Sequence, residues 1–299
     1  MEKGRLNRKI ILSASRRTDI PAFYMEWFMD RLEKGEFESV NPYNRKVSKI
    51  PASPETIHTI VFWSKNFRRF IEGGYGKKLR KSGYGLFFNF TVNSANPLLE
   101  PNIPRLEDRL DQIKELCGQF GPETVYWRFD PICFYKKGNQ GLQNNLNDFR
   151  TIAETAAKWG IARCVTSFMD DYKKIRKRVR LKEDLQFIFP DTQKKVEVLL
   201  HMEKVLTDLG ITFYTCCEKN VMENLPETSA ILRGACIPGE RLMELYNGTI
   251  SLKKDTGQRT KAGCRCRVSK DIGLYKSHPC FHNCLFCYAN PVCDTPIQK

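Results

Sequence analysis

Six short segments rich in β-branched and aromatic residues, at 10–14, 57–64, 85–91, 124–129, 163–168 and 211–216, are each followed by apolar residues at helical spacing. This alternation leaves few folds open. Strands joined through helices run parallel, and the right-handed hand of such crossovers puts the helices outside the sheet. The helices are expected near 22–34, 66–73, 105–119, 146–159, 172–188 and 192–208, with Pro104 at the first turn of the third and Asp191–Thr192 opening the last. One α/β domain over residues 1–225 follows, a full or partial (β/α) barrel of about six parallel strands. From Pro226 the pattern changes to short helices around 227–234 and 239–247 and then a Gly-, Lys- and Cys-rich stretch. Residues 226–299 are therefore read as a cysteine-rich segment packed on the barrel at its mouth.

A parallel barrel carries its active site at the C-terminal ends of its strands. The residues just past each apolar run are polar here: Arg16, Arg17 and Asp19 after the first, Lys65 after the second, Asn89 to Asn93 at the third. Arg128 and Asp130 follow at the fourth, Asp170 at the fifth and Glu218 at the sixth. Convergence of these groups makes a pocket suited to a zwitterionic or phosphorylated ligand. The alternative is that Arg17–Asp19 and Arg128–Asp130 are ion pairs tying loops together.

The chain has 299 residues, 41% of them hydrophobic, enough for a core that needs no disulfides. The N-terminus lacks the apolar run of a signal peptide, and no stretch reaches the roughly 18 apolar residues of a membrane span. A cytoplasmic location without membrane association is the expectation. In that reducing compartment the 12 cysteines point to metal or thiol chemistry. The net charge of +15 attracts phosphates or nucleic acid. The densest basic run, from Lys173 to Lys182, reads either as a phosphate-contacting helix or as a solvated face, and Lys77, Lys78, Arg80 and Lys81 carry the same ambiguity.

Half of the cysteines lie between Cys264 and Cys293. Cys280, Cys284 and Cys287 form a Cys-x-x-x-Cys-x-x-Cys loop, with Phe286 before the last. Three thiolates on a short loop can hold a 4Fe–4S cluster at little closure entropy while leaving one iron open, since electron-transfer clusters normally take four cysteines. Cys216, Cys236, Cys264 and Cys266 supply four more thiols for a second site, an auxiliary iron–sulfur cluster or a structural zinc, with burial as small hydrophobes the alternative. Zinc also competes at the main motif, where Cys264, Cys266, Cys280, Cys284 and Cys287 provide enough ligands. Cys117, Cys133 and Cys164 read as core, Cys293 as a spare ligand or an incidental residue, and His278 and His282 as ligands or solvated side chains.

The three-cysteine loop resembles the motif of radical S-adenosylmethionine enzymes. That resemblance implies a 4Fe–4S cluster whose open iron chelates S-adenosylmethionine, reductive formation of a 5'-deoxyadenosyl radical, and a reductant such as flavodoxin or ferredoxin. The segments Ser13–Pro21, Val61–Asn66, Trp127–Ile132, Ser269–Tyr275 and Tyr288–Asn290 resemble a bacterial family, the domain of unknown function 1848 family, over nearly the whole chain. In radical enzymes the cysteine loop usually follows the first strand, whereas here it follows the last. A cyclic rearrangement of strand order, or a tail folded over the barrel mouth, restores the geometry. Two functions compete: a radical enzyme acting on an unknown substrate, or a nucleic-acid-associated protein stapled by zinc or an iron–sulfur site. An electron carrier has no need of so polar a pocket.

Overall fold

The computed structural model describes residues 8–41, 44, 46–182, 184–289, 291 and 292. Cys293 lies outside the described residues. Eight parallel strands form the central sheet: β1 (Ile10–Ala14), β2 (Ile57–Ser64), β3 (Gly85–Thr91), β4 (Val125–Ile132), β5 (Arg163–Phe168), β6 (Thr212–Thr215), β7 (Leu232–Arg233) and β8 (Lys270–Asp271). Their spatial order is β7-β6-β5-β4-β3-β2-β1-β8, and every pairing is parallel. The chain thus winds steadily across the sheet, and its last strand returns to lie beside the first.

The expected six strands become eight, and among the described residues β7 and β8 are unpaired edges, so the barrel is open. Both added strands span two residues, too short to show a period in the sequence.

Strand alternation divides the sheet into two faces. Leu12, Phe62, Phe88 and Trp127 point to the helical side and join its large core. Phe62 meets Phe70 at 4.9 Å between ring centroids, and Phe67 meets Phe90 at 5.1 Å, both edge to face. Each fully buried Phe contributes about 1.5–3 kcal/mol, so this aromatic stack fixes the helices to the sheet.

The opposite face carries Ile11, Val61, Phe87, Tyr126 and Val165 in a smaller cluster. Two residues further along the same strands, this face presents Ser13, Trp63, Asn89, Arg128 and Ser167. One face therefore changes from apolar to polar toward the strand C-terminal ends, and the site forms there.

The long helices are α1 (Met25–Glu33), α2 (Leu106–Phe120), α3 (Phe149–Lys158), α4 (Lys173–Val179), α5 (Thr192–Asp208) and α6 (Gly239–Tyr246). Asp191 caps α5, accepting from the Lys194 N–H at 2.8 Å.

Two helix expectations fail. The helix expected over 172–188 ends at Val179, and Leu185–Ile188 pairs antiparallel with Phe134–Lys137. Asp184 adopts φ +64° in the turn that follows the helix, turning the chain into the strand, and Leu185 and Phe187 then bury on alternate positions. No helix spans 227–234; Leu232–Arg233 becomes β7. The segment expected at 22–34 divides at Tyr24 into Ile20–Phe23 and α1. No helix among the described residues is long and apolar enough to cross a membrane.

Candidate functional site

The loop from Cys280 to Cys287 leaves the sheet after β8 and packs over the strand ends. Asn283, at φ +54°, takes the left-handed turn that Asn tolerates better than most residues, and the Cys287 N–H donates to the Cys284 carbonyl at 3.1 Å. Leu285 and Phe286 bury against Leu99, Ile175 and Val179. Arg178, buried on α4, grips the loop's backbone. Its guanidinium donates to the carbonyls of Cys284 (3.3 Å), Leu285 (2.5 Å) and Cys287 (3.0 Å).

Burial pushes the thiols of Cys280, Cys284 and Cys287 up. Asp19 adds to this at Cys280 and Glu100 at Cys284, where the thiol donates to the Glu100 carboxylate at 3.7 Å. The Ala289 N–H donates to Cys287 Sγ at 3.3 Å and opposes that rise, as do Arg178, Lys65 and Lys174 nearby. Cys280 and Cys284 are buried and Cys287 half-buried, with cations and an N–H placed to stabilise thiolate.

A second group of sulfurs lies at the ends of β6 and β7. Cys216 Sγ is 3.6 Å from both Cys217 Sγ and Cys236 Sγ. Cys264 and Cys266 lie in the same buried cluster as Cys216 and Cys236, with Cys217 packed against it. The Arg128 guanidinium donates to Cys236 Sγ at 2.8 Å and to Asp130 at 2.6 Å. Arg16 and Arg128 both stack on Trp63, at 5.4 and 5.5 Å from its centroid. As they stand, no three or more His, Cys, Asp or Glu side chains among the described residues are arranged to hold a metal ion.

Charged residues connect the two sulfur groups. Lys65, beside Cys284, pairs with Glu100 at 2.6 Å and helps hold Asp130 below the usual carboxylate range despite burial, together with Arg128 and the Ser167 hydroxyl at 2.5 Å. Asp130 leads through Arg128 to Cys236.

Asp19 is saturated. It accepts from the Ala22 N–H (2.9 Å), the Ser64 hydroxyl (2.7 Å) and the Lys65 N–H (2.8 Å), and its second oxygen lies 2.8 Å from His282 Nε2.

Arg17 and Asp19 do not pair. Arg17 donates to the carbonyls of Val40 and Gly273 and lies 3.7 Å from Asp271. Glu218 accepts from the Phe168 N–H at 2.8 Å, and Asp170 pairs with Arg259 at the surface, away from the pocket. Cys117, Cys133 and Cys164 are buried in the apolar clusters. His278 packs on Tyr24 and Trp27.

Sequence reasoning missed Glu100, Arg178 and Asp271. Asp271 on β8 accepts from the Ser13 and Ser15 hydroxyls (2.9 and 2.8 Å) and the Arg16 N–H (2.8 Å), joining the two strands' ends. Its position next to a β-branched residue in a glycine-bounded run, Asp271-Ile272-Gly273, was the available signal.

Fold and site together define an α/β protein built on a parallel central sheet, with two groups of thiols and a buried charged pocket at its strand C-terminal ends. Residues 11–289 match the model of the Domain of unknown function (DUF1848), and the chain belongs to that family. No curated protein matches it.

Proposed function

We propose that the chain is an iron–sulfur enzyme of the radical S-adenosylmethionine type, with Cys280, Cys284 and Cys287 as the cluster ligands. The observation that carries this reading is the three-thiol loop, buried at Cys280 and Cys284 and half-buried at Cys287, at the C-terminal ends of a parallel sheet and facing a pocket of paired charges. The donor set fits a cluster because each cysteine there binds a different iron and the three thiols need not converge on one ion. When bound, a 4Fe–4S cluster with an open iron supplies reductive cleavage of S-adenosylmethionine.

The protein's own residues have four tasks in this reading. Arg178 fixes the loop's backbone. Lys65 and the Ala289 N–H offset thiolate charge at Cys284 and Cys287. The Asp19–His282 contact holds the loop against the ends of β1 and β2. Arg16, Arg128, Asp130 and Glu218 offer charged and hydrogen-bonding groups for an anionic or zwitterionic ligand, while burial excludes water that would quench reactive species. The electron donor in this reading is a small reductant such as flavodoxin or ferredoxin.

The nucleic-acid reading has less support. Of the basic run, Lys174 donates to the Ala289 carbonyl, Arg176 pairs with Asp171 and Arg178 holds the cysteine loop.

The test is anaerobic reconstitution with iron and sulfide, followed by electron paramagnetic resonance with and without S-adenosylmethionine. The expected result is a reduced-cluster signal that shifts on adding S-adenosylmethionine, with 5'-deoxyadenosine as product, both lost when the three cysteines become alanine. An intact cluster that yields no product refutes the reading.

A further inference from the structure

The second group of sulfurs has a different geometry from the loop. Cys216, Cys236, Cys264 and Cys266 share one buried cluster, with 3.6 Å between the sulfurs of Cys216 and Cys236. Four thiolates at about 2.3 Å around one tetrahedral zinc stand about 3.8 Å apart. Cysteines gripping four separate irons of a cubane stand farther apart than sulfurs sharing one ion. The Cys216–Cys236 spacing therefore suits two ligands of a single ion, and turning the Cys264 and Cys266 side chains about χ1 would complete the tetrahedron. The ligand segments permit this, since Cys264 and Cys266 lie on a stretch without helix or strand and Cys236 follows the short β7.

Charge balance points the same way. Four thiolates around a divalent cation carry a net charge of about −2. Two guanidinium groups face this cluster: Arg128 donates to Cys236 Sγ at 2.8 Å, and Arg16 lies beside Cys266 and Cys236. Arg16 Nη2 is buried with no hydrogen-bond partner, an orphan that a thiolate would satisfy. Asp130 also pairs with Arg128, and Asp255 and Asp271 lie near Arg16, so each guanidinium is shared between a carboxylate and the sulfurs.

We propose that Cys216, Cys236, Cys264 and Cys266 bind one divalent thiophilic ion of the zinc type. Cys217, at φ +63°, stands beside the set as the neighbour of Cys216. The ion ties together the ends of the four-residue β6 and the two-residue β7 and the segment leading into the two-residue β8. It sits on the other side of the Asp130–Arg128 pair from the three-cysteine loop, and its role is structural. Cobalt(II) serves as the probe, because its visible absorption reports tetrahedral thiolate ligation.

The experiment uses the full chain with Cys280, Cys284 and Cys287 changed to alanine, so that failure of the iron–sulfur reading and failure of this one are distinguishable. Under a phosphine reductant, cobalt titration is expected to saturate at about one ion per chain with strong sulfur-to-metal charge-transfer bands, displaced by zinc. Anaerobically purified protein of this variant is expected to contain about one zinc per chain. Cys264→Ser with Cys266→Ser is expected to lower cobalt affinity at least 100-fold while the circular dichroism of the sheet persists. If that double variant does not fold, Arg16→Met is expected to fold and weaken cobalt binding by a smaller factor. No charge-transfer absorption, iron with inorganic sulfide in place of zinc, or binding that survives loss of Cys264 and Cys266 overturns the proposal.

Discussion

Replacing Arg178 with Met removes the clamp on the cysteine loop while keeping most of the side-chain volume. The guanidinium makes three contacts to loop carbonyls, and the one to Cys284, at 3.3 Å, is the weakest. Hydrogen bonds from a charged donor contribute about 1.5–3 kcal/mol each, so the two shorter contacts set a gross scale of about 3–6 kcal/mol. Relief of the desolvation cost of a buried guanidinium returns part of this, leaving about 2–4 kcal/mol. The loop lies late in the chain, and its local opening exposes Leu285 and Phe286 without unwinding the sheet, so the loss falls on local opening first. At about 1.4 kcal/mol per tenfold, the amides of Leu285 and Cys287 are expected to exchange about 30- to 700-fold faster in the metal-free variant. Hydrogen–deuterium exchange read by mass spectrometry measures this. Exchange within twofold of the parent across the loop, with the sheet amides also unchanged, refutes the reasoning. Arg178→Lys, with one cationic donor, is expected to fall between.

Asp19→Ala leaves the Ser64 hydroxyl, the Lys65 N–H and His282 without their buried acceptor and is expected to cost about 3–5 kcal/mol by denaturant unfolding; a cost below 1 kcal/mol contradicts the bonding described. At Gly85 an added Cβ would lie 2.7 Å from the Tyr246 ring and 2.9 Å from the His58 carbonyl, so Gly85→Ala is expected to lower stability by about 1–3 kcal/mol, read as a fall in Tm. Burial lowers the pKa of His58 below its ordinary 6.5, with Nε2 held by the Asn247 carbonyl and Nδ1 by the Thr59 hydroxyl. The unfolded chain therefore takes up this proton first, and stability is full above pH 6.5 and falls as pH drops below it. His58→Gln is expected to flatten that decline in a Tm-against-pH series, and an unchanged slope removes His58 as its source.

The sheet was readable where strands are long and buried on both faces. Runs such as Ile57–Ser64 and Gly85–Thr91 are dominated by β-branched and aromatic residues, and their bounds in the structure are those read from the sequence. Leu232–Arg233 and Lys270–Asp271 escaped because two residues carry no period. The basic run misled because the helix-favouring Lys and Arg residues before Asp184 are followed by Leu185 and Gln186, which also favour a helix, and nothing local announces that Leu185–Ile188 will find Phe134–Lys137. The strand-end residues were legible as a set, since a barrel-like sheet puts its polar positions at one end. Their pairings were not: Arg17 pairs with Asp271, more than 250 residues away, and Lys65 with Glu100.

Chain order and spatial order differ at the point where the cysteine loop attaches, and this bears on how the loop reaches the pocket. In the sequence the loop follows the last strand, which separates it from β1 by most of the chain. In the fold β8 pairs with β1 through Leu12–Lys270 and Ser13–Asp271, so the loop starts from the edge where the first strand ends. Asp271 holds that junction by accepting from Ser13, Ser15 and Arg16, and Asp19 holds the far side by its contact with His282. The buried Asp19 and the half-buried Asp271, one on each segment, thus fix a loop whose own backbone has little regular structure. If cluster ligation depends on that seating, Asp271→Asn, which keeps size and an acceptor but removes charge, is expected to loosen Cys280 through Cys287 before it alters the sheet. Faster exchange at Leu285 and Cys287 with unchanged sheet protection supports this order of events, and simultaneous loss of both shows that β8 is part of the core and not merely an anchor for the loop.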